Sequence, residues 1–315
     1  MKRIVVLGGS GFVGRALCRR LATDAPALRV VVPTRRPGHA SALRPLPMVE
    51  VVPADVHDPA ALQRLLQGAD AVVNLVAILH GSAADFERVH VELPQRIAAA
   101  CRAAGVARLV HVSALGVAAD APSNYLRSKA RGEQVLRESG LALTVLRPSV
   151  IFGAEDRFLN LFAGLQALAP LMPLGGADSR FQPVWVEDVA RAQVCALLRG
   201  PGGGVPPVVE CAGPAVHTLA ELVRLAGRWS GHERPIVPLP AALTRLQAAL
   251  LERAPGPTMM SLDNVASMQV PNVASGSLPG LADLGIEPTP MDAVMPAVLA
   301  GRGCRSHFDA LRARR

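Results

Sequence analysis

A single tyrosine, Tyr125, is followed four residues later by Lys129, one of only two lysines in the 315 residues. On a helix this spacing places both side chains on one face, so the Lys129 ammonium would lie near the Tyr125 phenol. A free phenol has a pKa of about 10, and lowering it to about 7 needs about 4 kcal/mol of preferential stabilisation of the phenolate. The pair is therefore typical of a proton donor and acceptor beside a carbonyl or alcohol carbon. The alternative is a surface helix that carries a half-buried tyrosine.

Polar side chains also stand at or near the ends of two predicted strands. Ser113 directly follows the strand Arg108–Val112, where its hydroxyl could polarise a substrate carbonyl. Asn74 interrupts the apolar strand Ala71–Leu79 and needs a polar partner there. It either bonds to a neighbouring backbone group or helps to shape a ligand-binding loop, with two apolar neighbours, Val76 and Ala77.

The apolar run Arg3–Leu7 leads directly into a glycine-rich turn and an amphipathic stretch, Phe12–Ala22. This order predicts a buried strand, a tight turn and a helix. Gly8 and Gly11 allow the turn and the close approach of a pyrophosphate, and Gly14 allows the helix to pack closely on the strand. The amides at the helix N-terminus would face the anion. The spacing therefore predicts nucleotide binding, and a glycine turn without a ligand is the alternative.

Two arginines, Arg35 and Arg36, follow the second predicted strand, Leu28–Val32. In dinucleotide-binding folds an acidic residue at this point binds the 2′-hydroxyl of NAD, whereas an arginine accommodates the 2′-phosphate of NADP. No acidic residue is near in the sequence, which favours NADP(H) over NAD(H). The alternative is a pair of ordinary surface arginines. Asp55, after the third predicted strand, could accept a hydrogen bond from the adenine amine.

Strands and helices alternate through the first half of the chain, which is typical of a doubly wound parallel sheet. We therefore predict an α/β protein with a Rossmann-type doubly wound parallel sheet and a smaller, interleaved C-terminal substrate lobe. The predicted domains are residues 1–150 for the nucleotide, 151–300 for a substrate or partner, and 301–315 as a basic tail. Within the second domain, 181–212 is expected to return to the sheet.

Composition excludes several classes of protein. Half of the residues are apolar, and the five cysteines show no metal-ligand or C-x-x-C spacing. We therefore expect a folded protein with no metal, in a reducing compartment. The apolar run before the glycines is too short for a signal peptide, and no stretch is typical of a membrane-spanning helix. The expected location is the cytoplasm, or the periphery of the inner face of the cell membrane.

The net charge of +8 is concentrated at the C-terminus, where residues 301–315 carry five arginines against one acid, Asp309. Only 3% of the residues are aromatic, so we do not expect nucleic acid as a partner. An anionic lipid surface and an acidic partner both fit the charge, as does a solvated terminus without a ligand.

The motifs G-x-x-G-x-x-G, Ser113 and Tyr125-x-x-x-Lys129 together resemble the short-chain dehydrogenase/reductase superfamily. The segments Arg147–Gly153 and Gln182–Ala190 resemble its extended and atypical branch of epimerases, dehydratases and reductases. Within that branch, three further segments are similar to the NAD(P)H-binding accessory subunit of respiratory complex I and its stand-alone bacterial relatives. These segments are Ser123–Ala130, Ile151–Asn160 and Leu278–Pro290.

The resemblance implies a tightly held NADPH. It assigns the phosphates to Gly8, Ser10, Gly11, Phe12 and Val13, and the 2′-phosphate to Arg35. It assigns the adenine to Asp55 and Val56, and the nicotinamide to Ser113, Tyr125, Lys129, Pro148, Ser149 and Val150. It also implies a second role, because the complex I subunit is thought to hold its nucleotide as a structural or sensing element.

Two apolar stripes and one loop are predicted in the second domain. The first stripe predicts either core packing or one wall of a cleft for a hydrophobic substrate such as an isoprenoid or quinone; its residues are Phe158, Leu161, Phe162, Leu165 and Leu168. The second, on a helix that Pro240 begins, predicts core packing, docking on a partner or contact with a membrane; its residues are Leu243, Leu246 and Leu250. The Pro- and Gly-rich stretch Ala254–Gly280 is predicted to be a loop.

Three functions remain open. The first is an NADP(H)-dependent oxidoreductase in which Tyr125 is the acid and base, Lys129 its activator and Ser113 the polarising group. The second is a non-catalytic, nucleotide-holding accessory or assembly protein of a respiratory or quinone-related complex. The third is a sugar-nucleotide epimerase or dehydratase, for which Arg157, Arg180 and Arg191 could supply a diphosphate pocket.

Overall fold

The computed structural model describes residues 1–106, 108–254 and 258–300. Its strands are β1 (Arg3–Leu7), β2 (Arg29–Thr34), β3 (Val49–Pro53), β4 (Ala71–Asn74), β5 (Arg108–Val112), β6 (Ala142–Pro148), β7 (Ile151–Phe152), β8 (Met172–Gly175), β9 (Arg180–Phe181), β10 (Val184–Trp185), β11 (Val208–Cys211), β12 (His217–Thr218) and β13 (Ile236–Leu239). The basic tail predicted at 301–315 lies outside the described residues.

The α-helices are α1 (Phe12–Asp24), α2 (Pro59–Leu66), α3 (Ala83–Glu87), α4 (Leu93–Ala104), α5 (Asn124–Arg137), α6 (Leu159–Leu168), α7 (Val186–Leu198), α8 (Leu219–Trp229), α9 (Ala241–Arg253), α10 (Leu262–Ser267) and α11 (Met295–Leu299). A π-helical turn, Arg88–Glu92, joins α3 to α4. Short 3₁₀ turns occupy Pro37–Leu43, Pro201–Gly203, Leu281–Leu284 and Met291–Ala293. No helix in the described part of the chain is both long enough and apolar enough to cross a membrane.

The chain forms two compact units, each made of three stretches. Unit 1 comprises Met1–Pro148, Val186–Cys211 and Ala274–Glu287. Among the described residues, unit 2 comprises Ser149–Trp185, Ala212–Val273 and 288–300.

A parallel sheet of seven strands forms unit 1, in the order β11–β6–β5–β4–β1–β2–β3. The last four residues of β1 are all buried. Because successive side chains of a strand point to opposite faces, both faces of the sheet are covered. Val5 and Leu7 belong to an apolar core that α2 and α4 complete, whereas α1 packs against α7. The predicted doubly wound α/β fold is confirmed, including the strand at Val208–Cys211 that pairs with β6.

The described residues of unit 2 form short strand pairs. Strands β7 and β10 pair in parallel, as do β8 and β13, whereas β9 and β12 are antiparallel. Helices α6 and α8 pack together, and their apolar residues line two small cores. Phe158, Phe162 and Leu165 pack against these cores, which confirms core packing for that part of the first stripe. The same prediction is wrong for Leu168, which is 89% exposed.

Two predicted boundaries are wrong for local reasons. Strand β4 ends at Asn74 and not at Leu79, because the Asn74 side chain accepts the Val76 N–H and turns the chain out of the sheet. Helix α10 lies inside the predicted loop Ala254–Gly280. It begins at a capping box, in which Ser261 Oγ accepts the Asn264 N–H while Asn264 Oδ1 accepts the Ser261 N–H.

Candidate functional site

The turn after β1 admits only glycine at several positions. Gly8 has a φ of +81°, in the region that favours glycine, and its carbonyl accepts the Gly11 N–H at 3.0 Å. A Cβ at Gly9 would lie 2.8 Å from a methyl carbon of Val32, and a Cβ at Gly14 would collide with Gly9 Cα. The first turn of α1 therefore lies directly against the glycine turn, and no side chain caps that helix at Gly11. This cradle of backbone amides fits a pyrophosphate, and it contains the predicted residues Ser10, Phe12 and Val13.

The end of β2 adds a residue that the sequence reasoning missed. Thr34, the last residue of β2, is buried, and its hydroxyl accepts the Arg36 N–H at 3.2 Å. Ser10 Oγ lies 3.5 Å from Thr34 Oγ1, so the glycine turn and the arginine segment meet at this hydroxyl. Arg35 and Arg36 are both exposed. The signal that could have identified Thr34 is its place directly before the two arginines.

The end of β3 carries the predicted adenine residues. Asp55 Oδ1 accepts the His57 N–H at 2.9 Å, and Val56 packs against the core of unit 1. Burial lowers the pKa of His57, the Asp55 carboxylate opposes that shift, and nearby guanidinium groups, Arg35 among them, lower it further. The segment at 55–57 and Arg35 therefore share one electrostatic environment.

The loop after β4 borders the glycine turn, because a Cβ at Gly8 would lie 3.2 Å from the Val76 nitrogen. Val76 is half-buried and Ala77 is exposed. Asn74 is fully buried, and its Nδ2 lies 3.2 Å from His111 Nδ1. The predicted need for a polar partner is thus confirmed, and the partner is a histidine on the neighbouring strand β5. Burial holds the pKa of His111 well below its ordinary value, with the Lys129 charge as a smaller cause.

Two of the three predicted catalytic residues, Ser113 and Lys129, meet at the carboxyl end of β5, and Tyr125 lies one helical turn before Lys129 on α5. Ser123 caps α5 by accepting the Leu126 N–H, which fixes the start of the helix that carries Tyr125 and Lys129. Lys129 Nζ donates to the carbonyl oxygen of Val112 at 2.9 Å. Val112 directly precedes Ser113, whose buried Oγ has no hydrogen-bond partner within the described part of the chain. A buried hydroxyl without a hydrogen-bond partner can bond to an atom of a ligand.

The pKa shifts differ from what the Tyr125 and Lys129 spacing suggests. Burial raises the pKa of Tyr125 to about 12, instead of the expected lowering by the Lys129 ammonium. Burial also lowers the pKa of Lys129 to about 8, although the Glu133 carboxylate opposes that shift. The ammonium donates to the Val112 carbonyl, and desolvation dominates both groups. In this structure the phenol is therefore protonated at neutral pH.

His90, on the π-helical turn, is a second residue that the sequence reasoning missed. Its ring meets the Tyr125 ring edge to face and stacks on Phe86. His90 Nε2 accepts the Ile78 N–H at 3.2 Å, so the proton is on Nδ1, which lies 2.9 Å from Ser128 Oγ. Burial lowers the pKa of His90 to about 3, with a smaller effect of Lys129. A neutral ring therefore holds one side of Tyr125, and no sequence motif marks it.

The C-terminal half of α5 is held by charge. Glu133 is fully buried and accepts from Arg147 on β6, with Arg147 Nε 3.0 Å from Glu133 Oε1. Arg137 donates to the same carboxylate. Two guanidinium groups thus balance a buried carboxylate one turn beyond Lys129, which fixes the helix against the sheet.

The remaining predicted cofactor residues follow β6. Pro148 ends that strand, and its carbonyl accepts the Leu115 N–H at 3.0 Å. Ser149 and Val150 begin unit 2, where Ser149 Oγ and the Val150 N–H both donate to Asn272 Oδ1, at 2.7 and 2.8 Å. Asn272 is a further residue that the sequence reasoning missed.

A seven-stranded parallel sheet with a glycine cradle at the carboxyl end of its first strand defines an NAD(P)-binding Rossmann protein. In agreement, residues 8–157 match a family model described as NAD(P)H-binding.

Curated relatives and a solved structure extend the similarity to most of the chain. NADH dehydrogenase (ubiquinone) 1 alpha subcomplex subunit 9, mitochondrial, of Mus musculus is 32% identical over 91% of this chain and 77% of that protein. The ceramide reductase of Caulobacter vibrioides is 34% identical over 75% of this chain and 73% of that protein. The NADPH-dependent quinone oxidoreductase QOR2 of Escherichia coli, solved with NADPH, aligns with a TM-score of 0.73 and 24% identity over 94% of this chain and 98% of that chain. The chain belongs to the atypical short-chain dehydrogenase/reductase family that contains the subunit 9 proteins of complex I.

Proposed function

We propose that this protein is an NADP(H)-dependent oxidoreductase that transfers hydride between the nicotinamide and a carbonyl or alcohol carbon. The observation that carries the proposal is the bond from Lys129 Nζ to the Val112 carbonyl at 2.9 Å, beside a Ser113 hydroxyl that lacks a partner among the described residues. This bond brings the Lys129 ammonium to the strand end that Ser113 directly follows. On its helix, Lys129 lies one turn after Tyr125.

Each residue then has a distinct role. When bound, the nicotinamide supplies or accepts the hydride. Ser113 donates a hydrogen bond to the substrate carbonyl oxygen, and Tyr125 gives that oxygen its proton. An ammonium has three donors, and Lys129 uses one for Val112, which leaves donors for hydroxyls of the nicotinamide ribose. Because burial raises the pKa of Tyr125 to about 12, the resting phenol carries the proton that carbonyl reduction needs.

NADP(H) is the proposed cofactor, in preference to NAD(H). Arg35 and Arg36 follow Thr34, whose hydroxyl already fixes the Arg36 backbone, and both guanidinium groups are free to approach a 2′-phosphate. Asp55 and Val56 would lie by the adenine. Gly8, Ser10, Gly11, Phe12 and Val13 would surround the pyrophosphate, beside Val76 and Ala77. Pro148, Ser149 and Val150 are proposed near the nicotinamide.

The proposed substrate is a small hydrophobic carbonyl compound. The ceramide reductase and the quinone oxidoreductase among the similar proteins support this class by their names alone. Gentle purification followed by mass spectrometry should identify an NADP(H) nucleotide and any lipid that accompanies the protein. NADPH oxidation should then be measured with a panel of quinones and long-chain ketones.

The variant Tyr125→Phe tests the catalytic role. We expect it to retain NADPH binding and to lose turnover with every substrate of the panel. If the function that the cell needs survives unchanged in this variant, the enzyme proposal is wrong.

The alternative is a nucleotide-holding accessory or assembly protein of a respiratory complex, without turnover. The 32% identity with a complex I subunit favours it. In that role the protein would bind its complex from the cytoplasmic side, at the periphery of the inner membrane face. Affinity purification from membranes solubilised in mild detergent would recover respiratory subunits with wild-type protein and with Tyr125→Phe alike.

A further inference from the structure

Helix α9 of unit 2 exposes three of its leucines to solvent, while two of its small residues are buried against the protein. Leu243, Leu246 and Leu250 are 50%, 57% and 65% exposed, whereas Thr244 and Ala248 are buried. The three leucines fall at i, i+3 and i+7, which is one face of a helix. An ordinary surface helix has the opposite arrangement.

Elements that pack on or near α9 also expose apolar residues. Helix α9 packs on β8, where Gln247 Nε2 donates to the Pro173 carbonyl at 3.2 Å, and α10 packs on α9. Val237 on β13, which pairs with β8, and Leu262 on α10 are also exposed. Of the fourteen exposed large hydrophobic residues in the described ranges, eight lie within 168–171, 237–250 and 259–262. Such concentration marks an interaction site, whereas scattered exposed leucines would need no explanation.

The chemistry of this surface fits lipid better than protein. The exposed large hydrophobic residues of the described chain are leucines, valines and methionines, with none of the aromatic anchors that dominate protein interfaces. Helix α9 carries two exposed arginines, Arg245 and Arg253, and its one acid, Glu252, accepts the Leu262 N–H at 3.3 Å. A second acid, Asp263, lies on α10.

The sequence adds a second attractive force. Residues 301–315, which follow the end of unit 2, contain five arginines against one aspartate. Shallow insertion of a few leucines gives only weak binding, and stable attachment to a membrane needs an additional signal such as a basic segment.

We propose that α9 and its exposed apolar neighbours form a docking surface for a membrane rich in anionic phospholipid. Leu243, Leu246 and Leu250 insert at the boundary between head groups and acyl chains, and Arg245 and Arg253 face the phosphates. This inference does not rest on the proposed oxidoreductase activity, because every residue in it belongs to unit 2.

Flotation of the purified full-length protein with vesicles tests the proposal. Vesicles of equal parts phosphatidylcholine and phosphatidylglycerol should bind the protein, vesicles of phosphatidylcholine alone should bind it far more weakly, and high salt should weaken the first interaction. The variant L246Q/L250Q should bind the anionic vesicles at least about tenfold more weakly. The matched control L198Q/L278Q changes two exposed leucines of unit 1 and should bind as the wild type does.

Circular dichroism and NADPH affinity should be the same in both variants, which separates loss of docking from loss of fold. Equal binding of L246Q/L250Q and wild type to anionic vesicles would overturn the proposal, as would wild-type protein that ignores these vesicles. A concentration-dependent dimer in solution that L246Q/L250Q abolishes would also overturn it, because the surface would then join two copies of the chain.

Discussion

The rings of His90 and Tyr125 meet edge to face, with centroids 5.5 Å apart and planes at 80°. His90 cannot shift easily, because both of its ring nitrogens are engaged, by the Ile78 N–H and by Ser128 Oγ. Ser128 Oγ in turn donates to the Tyr125 carbonyl at 2.9 Å. The Tyr125 phenol is therefore positioned by the neutral imidazole of His90. That imidazole is itself hydrogen-bonded to Ser128, on the helix that carries Tyr125.

Replacement of His90 by alanine should destabilise the protein and disturb the tyrosine. The change leaves the Ile78 N–H without its acceptor and opens a cavity beside the phenol, so we expect the free energy of unfolding to fall by about 3 kcal/mol. Urea denaturation measures it. The exposed His39→Ala variant is the control and should change stability by less than about 0.5 kcal/mol. A His90→Ala protein as stable as the control would contradict the positioning role.

The same histidine should make stability depend on pH. Its pKa is about 3 in the folded protein against an ordinary value of 6.5, so between these values the unfolded state binds more protons. Stability therefore falls as the pH falls, and His90 alone should contribute a loss of about 2 kcal/mol between pH 7 and pH 5. Urea titrations at both pH values should show a smaller loss in His90→Gln than in the wild type. In the control His39→Gln, stability should change with pH as it does in the wild type.

Titration of the only tyrosine can be followed directly by tyrosinate absorbance. Burial raises the pKa of Tyr125 to about 12, so the free folded protein should form little tyrosinate at pH 10, where an unfolded control is half ionised. Saturation with NADP⁺ should lower the pKa by at least about one unit, because a positive ring stabilises the phenolate. A phenol that titrates normally in the free protein would contradict the conclusion that desolvation dominates at Tyr125.

Close packing of α5 on the π-helical turn should make Gly132 intolerant of a side chain. A Cβ at this position would collide with the carbonyl oxygen of His90. We expect Gly132→Ala to lower the free energy of unfolding by about 3 kcal/mol. Gly164→Ala in α6, where a Cβ meets nothing within 4 Å, is the matched control and should stabilise the protein by up to about 1 kcal/mol. Thermal unfolding of both variants measures the difference.

Charge reversal at Arg35 should separate the two cofactors. If this guanidinium binds the 2′-phosphate, Arg35→Glu weakens NADPH binding by about tenfold or more and leaves NADH binding nearly unchanged. Fluorescence titration with each nucleotide checks it. Arg64→Glu, at an exposed arginine of α2, should leave both affinities unaltered. Equal losses for NADPH and NADH would mean that Arg35 does not read the phosphate.

The sheet and the cofactor cradle were predictable because their signals are local. Strand β1, the glycine turn and α1 form one continuous segment, and the spacing of Tyr125 and Lys129 is visible on a single helix. His90 and His111 were not predictable, because their side-chain hydrogen-bond partners, Ser128 and Asn74, lie 38 and 37 residues away along the chain and no motif marks them. The inverted face of α9 was equally hidden, since its leucine spacing is the same whether the face meets a core or solvent.

The raised pKa of Tyr125 shows a further limit of reasoning from spacing. A lysine four residues after a tyrosine lowers the pKa of the phenol only if its attraction for the phenolate exceeds the cost of desolvating the phenolate. That balance depends on the neighbouring Phe86 and His90 rings, which come from a distant part of the sequence.

Strand β11 pairs with β6 but is synthesised long after it. A nascent chain that has just left the ribosome at Pro148 therefore carries an open sheet edge, and α1 still lacks its partner α7. An open edge of this kind invites pairing with other chains. A fragment truncated there would be an aggregation-prone intermediate and not an isolated nucleotide-binding module. Biosynthesis must reach Cys211 before that edge is sealed.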